Sequence, residues 1–418
     1  MSVATILRKN DWPEIKAFLK ESSPDILDFW DIGTADEMDD YEKCIGEEKL
    51  SISESTRIGE YSEFLFGLSL CRNIERHKDK ALSSLLRTIE LVCMRKMRCS
   101  ERIIHKALEI KGMLTSYVNG TETAFSSLVY ASHFSSTIDT SAYIGVPNLE
   151  DILFEEVPLR IQNVLSAMVA IFEKIFVVSG LIKPDSVVLY HPTFEPWGTY
   201  LGGAEADLYI DGCLYEIKSG KREKNRWTDI GQVYAYYLLN KICESTKEET
   251  TGCDLSKQFN IGCTVNEIAL YYSRTGVLKN CPIEILNYYR KKKDEDVLRS
   301  IIATKVNKGL KERYEKELNF CANMILRRRY GEIQSGKREI NQHRKELERP
   351  FAVGERIYLP REGWGNIMQI FQSEKGLAAI VSMDNGNEWK IAFEKVEVLC
   401  IDDSELVSLV PKPCYLPE

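Results

Sequence analysis

The chain has 418 residues, 44% of them hydrophobic and 28% charged, with a formal net charge of −8 at pH 7. That length and apolar content support two or three packed domains and exclude a disordered or fibrous chain. The negative balance argues against indiscriminate nucleic-acid coating, and no run reaches the roughly 18 apolar residues of a bilayer span.

Twelve cysteines are scattered without C-x-x-C pairs or histidines at metal spacing. Neither a zinc site nor a disulfide framework is expected, and a reducing compartment is. The opening MSVATILRKNDWPE lacks a signal-peptide layout. The expectation is a cytoplasmic protein with no membrane partner.

From residue 1 to 150, apolar residues recur at three-to-four spacing, as in LRKNDWPEIKAFLK and ERIIHKALEIKGMLTSYV. This predicts a helical N-terminal region. The part before residue 65 is acidic, with EMDDYE and GEEKLSISE. It disfavours nucleic acid and leaves a protein-binding face or a solvated one. His77, His105 and His133 are isolated and read as structural or surface residues.

Residues 151–300 alternate in character. The stretch 164–178 suits a helix buried against a sheet, and 187–194, VVLYHPTF, suits a strand. The run GGAEADLYIDGCLYEIKSGKR over residues 202–222 is the most informative in the chain. Asp211-Gly212 signals a two-residue hairpin turn, because Gly accepts positive φ and Asp tolerates it. With those residues at the turn, Ile210 faces Cys213, Tyr209 faces Leu214, Leu208 faces Tyr215 and Asp207 faces Glu216.

Directly opposed residues have Cβ atoms roughly 4.5–5.5 Å apart. Lys218 lies two beyond Glu216 and shares its face, while Leu208, Ile210, Cys213, Tyr215 and Ile217 take the other. Two carboxylates that close destabilise a sheet unless a cation compensates. Mg²⁺ (or Mn²⁺) suits such oxygens and takes only one or two carboxylates. Lys218 could orient or deprotonate an attacking water, or neutralise charge on a phosphate. The competing reading is an edge hairpin with solvated charges and a surface ion pair.

A basic loop follows, with Lys221, Arg222, Lys224 and Arg226, then Trp227 for stacking or packing. Residues 229–239, DIGQVYAYYLL, predict an amphipathic helix with Gln232 and Tyr236 on one face. Residues 266–283, NEIALYYSRTGVLKNCPI, predict two strands around an Arg274-Thr275-Gly276 turn. Tyr272 and Arg274 either reach a phosphate or stabilise that turn.

The pattern D207-x8-E216-x-K218 followed by Q232-x3-Y236 resembles the PD-(D/E)XK nuclease superfamily, above all its RecB-type and exonuclease-like branches. The resemblance covers residues 155–285. It implies an α/β restriction-endonuclease-like core, a mixed sheet flanked by helices. It implies Asp207 and Glu216 as metal ligands and Lys218 as the catalytic lysine. Gln232 and Tyr236 would hold nucleic acid or buttress the site. Independently of the resemblance, the charge of the basic loop beside the site makes Lys221 and Arg222 candidates for substrate binding. No Pro precedes Asp207. Glu173 and Gln162 are the candidates for the residue that many members carry on the helix before the first strand. The implied activity is Mg²⁺-dependent phosphodiester hydrolysis in nucleic acid, with DNA the expected substrate and prokaryotic defence against foreign DNA a suggested setting. A non-catalytic nucleic-acid- or protein-binding scaffold and an RNA-processing nuclease are the alternatives.

Residues 301–349 read as a basic helical connector, with thirteen Lys or Arg against seven Glu from residue 305 to 349. Arg327-Arg328-Arg329 with Tyr330, and Lys337-Arg338, either track a phosphate backbone or are simply solvated. Pro350 opens a different composition. Short alternating strands with turns at 361–363, 375–376 and 384–386 predict a small antiparallel β-barrel over 350–418. Its V-G-x-x-I, G-W-G-x-I and W-x-I-A-F strings resemble the SH3-like or Tudor-like modules that end some UvrD-type helicases. That implies docking of protein or nucleic acid, with Trp364 and Trp389 as contacts or core. A protein partner could engage this module or the N-terminal helical region.

Overall fold

The structure is a computed structural model that describes residues 3–8, 12–33, 51–97, 99–144, 148–201, 203–220, 227–245, 264–289, 293–334, 352–359, 362–374, 376–392, 410, 413, 415 and 416. The chain divides into two compact units, Met1–Ile302 and Ala303–Glu418.

The first unit opens with α1 (Val3–Arg8), α2 (Pro13–Ser22) and a short strand β1 (Trp30–Gly33). The long helix α3 (Ile52–Asn73) starts at a capping box. The Ser51 hydroxyl accepts the Glu54 N–H, and the Glu54 carboxylate accepts the Ser51 N–H, satisfying two donors that a helix start leaves open. Helices α4 (Lys78–Leu85), α5 (Arg87–Cys93), α6 (Glu101–Val118), α7 (Phe125–Ile144) and α8 (Leu149–Leu153) follow. The predicted helical N-terminal region is therefore present. Helix α9 (Leu159–Glu173) continues into one π turn, Lys174–Val178. The whole stretch Leu159–Val178 has the length and mean hydropathy, 1.7, of a membrane span. In this fold, however, Ile161, Val164, Leu165, Met168, Phe172 and Phe176 are core side chains.

Next come β2 (Val188–Tyr190), α10 (Trp197–Tyr200), β3 (Leu208–Ile210), β4 (Cys213–Lys218), α11 (Trp227–Ser245), β5 (Glu267–Tyr272), β6 (Val277–Pro282), α12 (Ile283–Tyr289) and α13 (Asp294–Gln334). The six strands form one mixed sheet in the order β1-β6-β5-β4-β3-β2. Only β4 and β5 run parallel. A parallel pair needs a long crossover connection, and α11 lies within it, packed on β4 and β5.

The opposite face carries Leu208, Ile210, Cys213, Tyr215 and Ile217, the alternation expected from the hairpin register. These join a core shared with α3, α6, α7 and α9, so the helical region and the sheet have one continuous interior. Residues 187–194 were expected as one strand, but β2 stops at Tyr190. His191 turns to φ 50°, and Pro192 has no N–H for a ladder. Strand β1 had no sequence signal. Its four residues are too few to show alternation, and they reach the sheet only by pairing with β6.

In the second unit, β7 (Arg356–Leu359), β8 (Gly363–Ser373), β9 (Gly376–Met383) and β10 (Glu388–Ala392) form an antiparallel sheet in the order β10-β9-β8-β7. The expected barrel is not closed among the described residues. Among the described residues β7 and β10 do not pair, and a helix supplies cover instead. Tyr358 packs with Leu318, Ala322 and Leu326 of α13, and its hydroxyl accepts a 2.8 Å hydrogen bond from Asn323. The other face gathers Ile357, Leu359, Ile367, Ala379 and Val381. Trp364 packs edge-on to Tyr358, while Trp389 is 41% exposed.

This arrangement predicts how the chain can be cut. A chain ending before Pro350 keeps Leu318 and Leu326 but loses Tyr358 and Val410, which bury them. It is expected to aggregate, because an uncovered apolar stripe seeks another surface. A chain ending at Ile302 removes the stripe as well and is expected to stay soluble. Size-exclusion chromatography of the two truncations decides this, and a monodisperse chain ending before Pro350 would count against the helix-covered sheet.

Candidate active site

The site begins with the hairpin. Asp211 and Gly212 both have positive φ, 45° and 102°, as a type I′ turn requires. The pairs Ile210↔Cys213, Tyr209↔Leu214 and Leu208↔Tyr215 fix the register. Strand β3 starts at Leu208 and Asp207 sits in a bend just before it, so the ladder stops one rung short of the expected Asp207–Glu216 pair. The Ile217 N–H donates to Asp207 Oδ2 at 2.5 Å, which ties the Asp207 carboxylate to β4.

Lys218 projects from the end of β4. Its Nζ donates to Glu216 Oε1 at 2.5 Å and to Gln232 Oε1 at 3.0 Å, with Asp229 Oδ1 at 3.9 Å. Gln232 Nε2 in turn donates to the Tyr236 hydroxyl at 2.9 Å, and the Tyr236 ring stacks on Phe194. Gln232 and Tyr236 are only 7% and 2% exposed. In this structure they support the lysine from behind, with little surface left for a ligand.

A further acid, missed in the sequence, comes from α3. Burial, then the Asp207 and Glu216 charges, push the Glu63 carboxyl well above its usual range. It makes no hydrogen bond among the described residues. The signal was legible in retrospect: Glu63 is the single ionisable acid in the otherwise buried stretch YSEFLFGLSLC. The two candidates from the sequence lie elsewhere. Glu173 accepts from Ser69 at 2.8 Å, and Gln162 donates to the Val157 carbonyl at 2.7 Å.

Gly59, one turn before Glu63, explains how α3 comes so near. A Cβ there would stand 2.4 Å from Ser219 Oγ, just beyond Lys218. Gly59→Val should therefore push α3 and the end of β4 apart. We expect a stability loss of about 1–3 kcal/mol. Thermal melts check this; a variant as stable as the parent would show that the close approach at Gly59 is not what sets the position of α3.

The carboxyls of the site resist ionisation. Burial and then the Asp207 charge raise Glu216 to about 8. Asp207 is raised too, mainly by burial. Burial acts to lower the Lys218 ammonium, but Glu216 and Asp207 outweigh it and hold it above its ordinary value. Glu216 Oε2 is buried and accepts no hydrogen bond among the described residues. An orphaned carboxylate oxygen and two neighbouring acids that resist ionisation are what a hard divalent cation relieves. As they stand, no three His, Cys, Asp or Glu side chains among the described residues form a ready metal cage. The donor set fits an ion held by one or two carboxylates and otherwise by water.

His191 and Glu205 flank the site and were passed over in the sequence. His191 Nδ1 is 2.8 Å from Glu205 Oε1, and the His191 N–H donates to the Asp207 carbonyl at 3.2 Å. Arg274 lies in the turn between β5 and β6 and is 1% exposed, so it is not offered to a phosphate. Tyr272 is likewise buried. His133 is structural, contacting the Tyr61 hydroxyl at 2.7 Å and the Ile152 carbonyl at 2.8 Å. Lys221, Arg222, Lys224, Arg226, Lys337 and Arg338 lie outside the described residues, as do the side chains of Arg328 and Arg329.

No protein-family model matches the chain. No curated protein and no solved structure matches it either.

Proposed function

We propose that this chain is a metal-dependent nuclease of the PD-(D/E)XK type on a restriction-endonuclease-like core, hydrolysing phosphodiester bonds in nucleic acid, with DNA the favoured substrate. The observation that carries the reading is the convergence of Asp207, Glu216 and Lys218 at one end of a hairpin, with Glu63 brought alongside by α3. Asp207 and Glu216 are the residues to hold Mg²⁺ or Mn²⁺, with Glu63 as a further oxygen ligand. A bound ion of this kind polarises a phosphoryl oxygen and lowers the pKa of its water.

Lys218 is fixed by Glu216 and Gln232 and favoured in its charged form. Its role is electrostatic, stabilising negative charge as it develops on the phosphate. Proton abstraction would need the neutral amine, which its neighbours disfavour. Gln232 and Tyr236 keep the ammonium in place. The chain's net charge of −8 weakens unaided approach to nucleic acid. That favours a regulated or partner-delivered enzyme, with the helical region or the second unit as the docking element and foreign-DNA defence in the cytoplasm as a setting.

The test is incubation of purified protein with labelled single- and double-stranded DNA and RNA in Mg²⁺, Mn²⁺ or EDTA. Cleavage that needs the metal supports the reading and identifies the nucleic acid. Tight binding without cleavage under every metal condition would favour a non-catalytic scaffold.

A further inference from the structure

We infer that the contact between His191 and Glu205 holds Asp207 in the position from which it takes a metal ion, which makes His191 and Glu205 positioning residues of the site. The inference rests on the nuclease reading above.

Asp207 lacks the support that its two neighbours have. Glu216 and Lys218 lie within β4, where each is paired with a residue of β5. Asp207 lies in the bend before β3, outside the rungs that join β3 to β4. Only its side chain reaches β4, through Oδ2 and the Ile217 N–H. Its backbone is held from the other side instead. The Asp207 carbonyl accepts the His191 N–H at 3.2 Å, and the Pro192 carbonyl accepts the Ala206 N–H at 3.1 Å. Thr193 and Glu205 then form an isolated antiparallel bridge. These contacts carry the pairing of β2 with β3 past the ends of both strands, and Asp207 rides on that extension.

The extension begins at His191, whose φ is 50°. Such a conformation is uncommon outside glycine, and it persists where the surroundings over-determine it. The side chain supplies that constraint here. His191 Nδ1 stands 2.8 Å from Glu205 Oε1, so the residue at the turn is joined to the one two places before Asp207. Without this contact the segment that carries Asp207 keeps its backbone hydrogen bonds but loses the cross-link that fixes its course. Groups that orient a metal-binding side chain from behind are worth roughly 10–100-fold in metal affinity.

The test measures Mn²⁺ affinity by isothermal titration calorimetry on the full chain, without nucleic acid. His191→Gly accepts the positive φ but has no side chain to reach Glu205. Glu205→Ala cuts the same contact from its other end. Each should weaken Mn²⁺ binding by about tenfold. The double variant should be no weaker than either single one, as the two ends of one contact behave in a double-mutant cycle. His191→Asn should restore most of the affinity, because Asn tolerates positive φ and offers an amide N–H near the place of Nδ1. Glu205 is exposed, and a pair of this kind contributes little to global stability, so melts in EDTA should stay near those of the parent. A folded His191→Gly protein that binds Mn²⁺ as the parent does would overturn the inference and leave the nuclease reading intact. So would additive losses in the double variant, which would make Glu205 a ligand in its own right. If His191→Gly does not fold, Glu205→Ala decides by the same criterion. If the parent chain neither binds Mn²⁺ nor cleaves any nucleic acid, both readings fall.

Discussion

Lys218→Met is expected to lower the rate of cleavage by at least about 10²–10³-fold, the cost of removing one preorganised charge stabiliser from an active site. The ammonium is held by Glu216 Oε1 at 2.5 Å and Gln232 Oε1 at 3.0 Å. Methionine keeps most of the stem volume, so α11 and β4 should stay in register. Glu216 loses both a hydrogen bond and a neutralising charge, so it should hold its proton to still higher pH and bind metal less well. Lys218→Arg should rescue little, because the forked guanidinium cannot take the place of a compact ammonium between two fixed oxygens. Single-turnover assays at saturating Mg²⁺, with circular dichroism to establish folding, measure the effect. A folded Lys218→Met protein that cleaves at the parent rate would remove the lysine from the chemistry.

Asp207→Asn should abolish cleavage and at the same time stabilise the metal-free protein. The amide keeps an oxygen to accept the Ile217 N–H, which donates at 2.5 Å in the parent, but removes the charge that helps to raise Glu216 and Glu63. The pH dependence follows. Glu216 has a folded pKa of about 8 against an ordinary value of 4.5. Below 4.5 both states are protonated and the group is neutral in its effect. Between 4.5 and 8 the unfolded chain has released the proton that the folded chain still holds, so stability falls as pH rises. The metal-free parent should therefore melt at a higher temperature near pH 5 than near pH 8. Mg²⁺ binds ionised carboxylates, so its stabilising effect should grow over the same interval. Asp207→Asn should show a flatter pH profile and little response to Mg²⁺. Thermal melts across this range, with Mg²⁺ or EDTA, decide it. A parent protein whose melting temperature rises from pH 5 to pH 8 in EDTA would contradict the carboxylate pair as described.

The hairpin was legible because its determinants are local. Asp211-Gly212 sets the turn, and a period of two then assigns Leu208, Ile210, Cys213, Tyr215 and Ile217 to one face and Glu216 and Lys218 to the other. The helix bearing Gln232 and Tyr236 was legible for the same reason, since four residues make about one turn. Its direction of support, towards Lys218, was not. Glu63 was hidden because nothing local says which face of a buried helix will meet a distant hairpin. That is decided by the packing of α3 on the sheet and by the missing side chain at Gly59. The same limit explains the C-terminal sheet. Strand alternation and turn residues predicted its strands, but closure depends on what covers their apolar faces, and α13 covers Tyr358 where a barrel would need another strand. Arg274 shows the limit in reverse. Its sequence setting, beside a turn glycine, is that of a surface cation, yet the fold buries it. The sequence by itself determined periodicity, turns and the chemistry available on each element, because these are set by neighbours along the chain. Tertiary packing alone decided which elements meet, and so which carboxylates share one site.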